Sequence, residues 1–409
     1  MTATILTKTD VSDFVIGAMV LATGGGGIAP PAERLDRVVS RIYDRGLRCK
    51  LIEPEAVPDD ALVFIPVGAG GGVSREVREK YLLFPSFEDL FVKGFDSLKW
   101  IEDQIREMDR LYPLPSWAEM PTREWGQAAE KRLIEIVGEE PFAYLLGEIG
   151  PMGYRLMCEA AAKGKPVVDA DTAGYRAVPE SSLSTLNIKD APIVPAVLAT
   201  PWGDLLVYEK VLSWQRFEDI NRSIAVSCGG SVGGMMSLRG NVLKGAVTPK
   251  TVSKSIEIGK AIRQAGDRGD DPVEAVIKTS GGFKLFEGEI AAFLRDEKGG
   301  FIWGESRFNG RGEFANHTFK VWFKNENQIS WKDGEPYVTC PDLICIVDAK
   351  TRLGLSNFWL KDFEVGRAVA ILGIRSAELW RTDKGLRIYN PRRFGFEIQY
   401  VPIEKFFGC

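Results

Sequence analysis

The spacing of apolar residues changes character once along this chain. Up to about Gly281 they recur three or four apart or in short unbroken runs. Beyond it they alternate in period two. A first helix opens at Asp10-Val-Ser-Asp13, turns Phe14, Ile16, Ala18, Met19, Val20 and Leu21 toward a core, and ends in a glycine run. A second, from Ala32 to Arg45, sets Leu35, Val38, Val39 and Ile42 at helical spacing and closes at Gly46. Strands are predicted at Arg48–Ile52, Ala61–Val67, Phe142–Gly147, Val167–Asp171, Ala191–Leu198 and Leu205–Lys210, and the second is apolar on both faces, as in a parallel sheet. Further helices are predicted at Tyr154–Lys163, Ser213–Ala225, Thr251–Gln264 and Pro272–Thr279. The unit from 141 to 171 reads strand–helix–strand, which requires a parallel, right-handed crossover.

After Gly281 the β-like runs are Phe283–Phe293, Gly300–Phe308, Phe314–Lys324, Gln328–Trp331, Ile344–Asp348, Val369–Ile374 and Arg387–Tyr389, with turn signals at Asn309-Gly310, Asp333-Gly334 and Asp383-Lys-Gly385. Short strands at this spacing predict a small barrel or sandwich. The fold class is therefore α/β plus all-β. The first domain covers 1–281 and is completed by 386–409, and the all-β domain covers 282–385. Residues 75–140 form a helical insertion (Glu88 to Leu111, Glu124 to Val137) rich in aromatics such as Tyr81, Phe84, Phe91, Trp100 and Trp117. It serves as a lid, as an oligomer contact, or as packing for its own domain.

A length of 409 residues exceeds one ordinary core, and 45% hydrophobic with 26% charged residues is the balance of a soluble globular chain. A net charge of −4 with mixed signs argues against nucleic-acid and membrane-surface partners. No apolar run approaches the ~20 residues of a transmembrane helix. Met1 to Asp13 lacks the pattern of a secretory signal, so the cytoplasm is the expected location. The six cysteines form no C-x-x-C pair, and His317 is the single histidine. Chemistry must then rest on carboxylates, cysteines, backbone amides, Arg/Lys or a bound metal.

The candidate site centres on Val167-Val168-Asp169-Ala170-Asp171, a strand that runs into a glycine-containing loop followed by Arg176. Ligands of open α/β sheets collect past the carboxyl ends of strands. Asp169 and Asp171 are two apart, so they share a face. With Glu148 they form a set of acids in which one can act as base and another as acid. The same three oxygens suit Mg²⁺ or Mn²⁺, although no cofactor is required. Their structural alternative is helix capping and a salt bridge to Arg176. Thr23 and Gly24, Gly25, Gly26 and Gly27 offer backbone amides to an anion or a developing oxyanion. The run is neither G-x-G-x-x-G nor a Walker loop, and a tight turn explains it equally. Gly70, in a second glycine run, is a further candidate for substrate contact, as are Asn325 and Glu326. Cys228, in Ser-Cys-Gly-Gly, reads as a nucleophile or as a small buried residue.

Leu-Ala-Thr-Gly-Gly-Gly-Gly (21–27), Val-Val-Asp-Ala-Asp (167–171) with Pro179-Glu180, Lys324-Asn325-Glu326, Pro341-Asp342-Leu343-Ile344 and Pro391-Arg392-Arg393-Phe394-Gly395 occur in this order. Together they resemble the S-methyl thiohydantoin desulfurase family, also found fused to hydantoinase-like proteins. The resemblance implies a three-layer α/β/α domain, with a mostly parallel sheet, plus a β-barrel domain. It also implies hydrolytic removal of a sulfur substituent from a hydantoin-like ring. The chain departs from the family pattern at Glu148-Ile-Gly-Pro-Met-Gly153 and at Asp171-Thr-Ala-Gly-Tyr-Arg-Ala177. The expectation is a hydrolase of a cyclic small molecule, acting as a homo-oligomer. The alternative is a non-catalytic subunit or ligand-binding partner of a hydantoinase-like enzyme.

Overall fold

The first helix, Lys8–Leu21, starts earlier than its apolar stripe. Thr7 and Asp10 form a capping box, with the Asp10 amide donating to the Thr7 hydroxyl at 3.1 Å and the Thr7 amide donating to Asp10 at 2.7 Å. This satisfies orphan donors at the helix start and fixes the point from which the helix runs into the glycine loop. Val11, Phe14, Val15, Ala18, Val20 and Leu21 are buried along it. Buried Asp13 is held by Arg263 of the helix Thr251–Arg268, at 2.9 and 2.8 Å.

The computed structural model describes residues 3–80, 103, 106, 109–110, 113–117 and 125–408. Among these, one sheet contains β1 (Thr4–Ile5), β2 (Lys50–Ile52), β3 (Leu62–Gly70), β4 (Ala143–Leu146), β5 (Val167–Asp171), β6 (Ala196–Ala199), β7 (Leu205–Tyr208), β8 (Ser231–Arg239) and β9 (Thr248–Pro249). Their order is β1-β2-β5-β4-β3-β8-β6-β7, with β9 paired to β5. The middle of the sheet, β2, β5, β4 and β3, is parallel, and the flanks are antiparallel. Helices cover both faces. Lys8–Leu21, Ala32–Tyr43, Trp125–Val137, Tyr154–Ala162 and Thr251–Arg268 close one core, and Thr185–Ile188, Trp214–Ser227 and Gly240–Ala246 close the other. Strand β5 is buried throughout. Val168 and Ala170 enter the second core, so Val167, Asp169 and Asp171 face the first.

The second sheet is antiparallel. It holds β10 (Phe283–Lys298), β11 (Phe301–Gly310), β12 (Thr318–Lys324), β13 (Glu326–Lys332), β14 (Glu335–Thr339), β15 (Leu343–Asp348) and β16 (Ala368–Ile374) in the order β14-β13-β12-β11-β10-β16-β15. Register shifts at Ile290/Ala292, Lys284/Phe286 and Trp322/Phe323 mark bulges, which bend strands and help curl the sheet into a half-barrel. Its concave core contains Phe286, Ile290, Phe308, Phe319 and Val321. The sheet is buried on its other face too at β15 and β16. Ile344 and Ile346 point into the half-barrel, while Leu343, Cys345 and Val347 join the core beneath Lys8–Leu21. Alternation along one strand thus ties the two sheets together.

The α/β plus all-β class expected from the sequence is the observed one. Two elements differ from the pattern reading. The glycine-rich stretch 227–234 reads as a turn, but from Ser231 onward it is the start of β8, which pairs with both β3 and β6. Arg387–Tyr389, read as a strand, lies in and just past the helix Asp383–Ile388, which starts where the Thr382 hydroxyl accepts from the Gly385 amide at 3.1 Å. Of the insertion, Trp125–Val137 is helical as expected, whereas the aromatics from Tyr81 to Trp100 lie outside the described residues. Among the described residues no helix is long and apolar enough to cross a membrane.

Candidate functional site

Where Lys8–Leu21 ends, Thr23 turns at φ 52° into Gly24–Gly27. The second sheet and its connections clamp this loop by its carbonyls. Asn327 N–H donates to Thr23 O at 2.7 Å, Asn357 N–H to Gly24 O at 2.8 Å, and the Ser356 hydroxyl to Gly27 O at 3.1 Å. Gly25 has to be glycine because the Glu326 carboxyl occupies its side-chain position, and a Cβ there would lie 1.8 Å from Oε1. Gly26 has the same requirement from the other side, since its Cβ would lie 2.6 Å from the Gly150 Cα. The loop is therefore pressed between Glu326 at the start of β13 and Glu148–Gly150 beyond the end of β4.

Glu148 is half-buried, and it accepts the Val178 amide at 3.0 Å. Dense protein around its carboxyl raises the pKa to about 7, against the pull of the Val178 amide and the Arg176 and Arg222 charges. Asp171 is fully buried. One oxygen accepts the Gly174 and Tyr175 amides at 2.9 and 3.1 Å, and Oδ2 has no partner. Burial, with Glu148 nearby adding to it, raises Asp171 to about 8. Glu326 is buried, and its Oε2 is unpartnered. Burial and the Glu148 charge push it well above the usual carboxylate range, while Arg176 and the Gly26 amide pull the other way.

Arg176 supplies the compensating charge. It is fully buried, yet its guanidinium donates only to neutral oxygens: Pro341 O at 2.7 Å, Ala177 O at 3.1 Å and Thr23 Oγ1 at 3.4 Å. Its cationic carbon lies 4.9 Å from the centre of the Tyr389 ring. Three ionised acids against one arginine would leave uncompensated negative charge in a largely dry space, which is costly. Retained protons relieve that cost and leave Glu148, the acid nearest solvent, able to exchange a proton near neutral pH.

The other predicted residues fall in different roles. Asp169 shares a face with Asp171 but turns to the start of Thr251–Arg268, where it accepts the Ser253 amide at 2.9 Å and the Ser253 hydroxyl. Asn325, at φ 55°, closes the β12–β13 hairpin and donates to Gly70 O at 3.1 Å, so both are spent joining the sheets. Cys228 caps the C-terminal end of Trp214–Ser227, where burial raises its thiol to about 11, unlike an activated thiolate. His317 is exposed on a hairpin edge, with Nδ1 2.7 Å from Asp333. The described residues contain no group of three or more His, Cys, Asp or Glu arranged to hold a metal ion.

A second polar cluster adjoins the first. Glu180 takes Lys324 on one oxygen and Arg393 on the other. Burial works against its charge, but the two cations win and hold it at about 2. Burial also lowers Lys324 against the pull of Glu180. We take the pair as ionised, because Glu180 is held by two cations at once. Arg222 pairs with Glu218 at 2.7 Å and donates to Gly70 O, Gly300 O and Pro179 O. The reading from sequence missed Arg222 and Asn357, and placed Glu326 among binding groups only. A cavity of about 680 Å³ lies elsewhere, against the C-terminal segment, and none of the three acids lines it. Chemistry rather than volume identifies the acid cluster as the candidate site.

Family models described as S-Me-THD-like, N-terminal domain and S-Me-THD-like, C-terminal domain match residues 9–81 with 113–210 and residues 213–403, respectively. The fold is similar to the crystal structure of a protein from Chromobacterium violaceum, with 20% identity, a TM-score of 0.66, and coverage of 98% of this chain and all of the other. No curated protein matches the chain.

Proposed function

The chain belongs to the S-Me-THD-like family, and from that premise we propose that it hydrolyses an S-substituted thiohydantoin-like ring and releases a thiol. The supporting observation is the cluster of Glu148, Asp171 and Glu326, raised in pKa and gathered around Arg176 beside the glycine loop.

Replacing a ring-bound sulfur substituent by oxygen needs a base and an acid in one place. Glu148, near neutrality and reached by solvent, takes a proton from water as the oxygen bonds to the carbon that carries sulfur. Glu326 retains its proton and donates it to the adjacent ring nitrogen, whose electron pair grows in the addition step. Collapse of the adduct breaks the carbon–sulfur bond. The sulfur leaves as a thiol with the proton that Glu148 took, the hydroxyl proton of the adduct restores Glu326 as the carbonyl forms, and the ring nitrogen keeps the proton it received. Asp171 and Arg176 tune the two acids, and the Gly24–Gly27 loop places the ring. Asp169 is assigned a positioning role through the helix that it caps.

The test is turnover of a panel of S-methyl thiohydantoins by the wild type and by Glu148→Gln. General-base loss predicts a fall of roughly 100- to 10,000-fold in kcat with the thermal transition retained. Wild-type turnover that Glu148→Gln leaves intact overturns the role of Glu148. Absence of turnover by the chain alone, together with copurification of a hydantoinase-like enzyme, selects the non-catalytic alternative.

A further inference from the structure

The C-terminal segment contains a feature that the acid cluster does not use. A cavity of about 680 Å³ is lined by Asp383, Leu386, Arg387, Ile388, Arg392 and Arg393, and Asn390 also borders it. It is an open concavity on the surface, wide enough for a small molecule to rest against the lining. Three guanidinium groups against one carboxylate give the lining a positive excess.

Two of the three arginines are left largely uncommitted by the protein, and the third keeps one unmet donor. Arg387 is exposed and makes no hydrogen bond or ion pair among the described residues. Arg392 reaches only Glu397, at 3.4 Å, and both side chains are largely in water, where such a pair contributes little. Arg393 is anchored through Nη2 alone, to Glu180, to Ser182 Oγ at 2.7 Å and to Gln215 Oε1 at 2.7 Å. Its Nε is buried without a partner. A buried donor on a charged group is costly to leave unmade, and a planar guanidinium edge matches two oxygens of one anion. Leu386 and Ile388 supply an apolar wall beside these donors.

We propose that this cavity binds a small organic dianion whose charged head meets Arg387 and Arg392 and draws on Arg393, and whose apolar body lies on Leu386 and Ile388. The site is separate from the acid cluster and does not depend on the hydrolytic reading. It is nonetheless joined to that cluster. Arg393 holds Glu180, Glu180 holds Lys324, and the Lys324 backbone is the register partner of Glu326 across the hairpin. An anion at Arg393 competes with Glu180 for the same guanidinium.

The test is calorimetric titration of the full chain with phenyl phosphate, and with inorganic phosphate and phenol as probes of head and body alone. The expected result is saturable binding of phenyl phosphate, weaker binding of inorganic phosphate, and none of phenol. Arg387→Ala and Arg392→Ala each weaken phenyl phosphate binding by about tenfold, the scale of one lost charge-assisted hydrogen bond. Both are exposed side chains, so folding is unaffected, and an unchanged thermal transition checks this. No saturable binding, or binding that neither variant weakens, overturns the proposal.

Discussion

Glu180 and Glu326 are both buried acids against the β12–β13 hairpin, and their surroundings are opposite. Glu180 is gripped by Lys324 and Arg393 and held at about 2. Glu326 has no ion pair among the described residues, keeps an unpartnered oxygen and is pushed well above the usual range. Burial penalises both charges, so burial alone does not set the outcome. Cations within contact of the oxygens stabilise one charge, while Arg176 acts on Glu326 through its field, with its hydrogen bonds made elsewhere. The first arrangement locks the sheets together. The second keeps acids in a state from which protons can move.

Substitutions break this contrast in graded ways. Glu180→Ala leaves Lys324 and Arg393 buried without their anion and is expected to cost about 3–5 kcal/mol in denaturant unfolding. In the wild type this contribution is present above the ordinary glutamate range and is lost as pH falls toward 2, because the folded pKa is depressed. Asp171 behaves in the reverse sense. Its folded pKa of about 8 exceeds the unfolded value, so its contribution is present at low pH and is lost as pH rises through 8. Asp171→Asn keeps an oxygen for the Gly174 and Tyr175 amides and removes the titration. It should therefore gain relative stability with rising pH, on the order of 5 kcal/mol by pH 9 and little at pH 4, in unfolding curves across that range.

Gly25→Ala forces a methyl into the Glu326 carboxyl and is expected to cost about 1–3 kcal/mol in thermal unfolding. It should also move the Glu326 titration, because the carboxyl has to leave its place. Asp169→Ala removes the side-chain cap on Thr251–Arg268, for about 1 kcal/mol in the same measurement. It should leave the titrations of Glu148 and Asp171 in place, which separates the two aspartates that the strand places on one face.

Much of this arrangement was legible in the pattern of residues. Val167–Asp171 is a strand over the span that its composition suggests, and the glycine run follows the first helix and packs against Gly150. The division of labour between Asp169 and Asp171 was not legible, because Ser253 lies 84 residues from Asp169 and only the packed helix brings it near. The acid role of Glu326 depends on burial against Gly25 and on Glu148, both tertiary facts. β8 was hidden by its glycines, which read locally as a turn and pair only because β3 and β6 stand ready on either side. Arg387–Tyr389 was misread because Thr382 caps a helix there and overrides a short β-like run.

The central claim is that the three acids beside the glycine loop titrate above the ordinary carboxylate range, with Glu148 exchanging its proton near neutral pH. A titration of side-chain carboxyls by carbon-13 NMR, assigned with Glu148→Gln, Asp171→Asn and Glu326→Gln, tests it directly. The account predicts transitions near 7 for Glu148 and near 8 for Asp171, with Glu326 displaced in the same direction. All three titrating within the ordinary carboxylate range would contradict it.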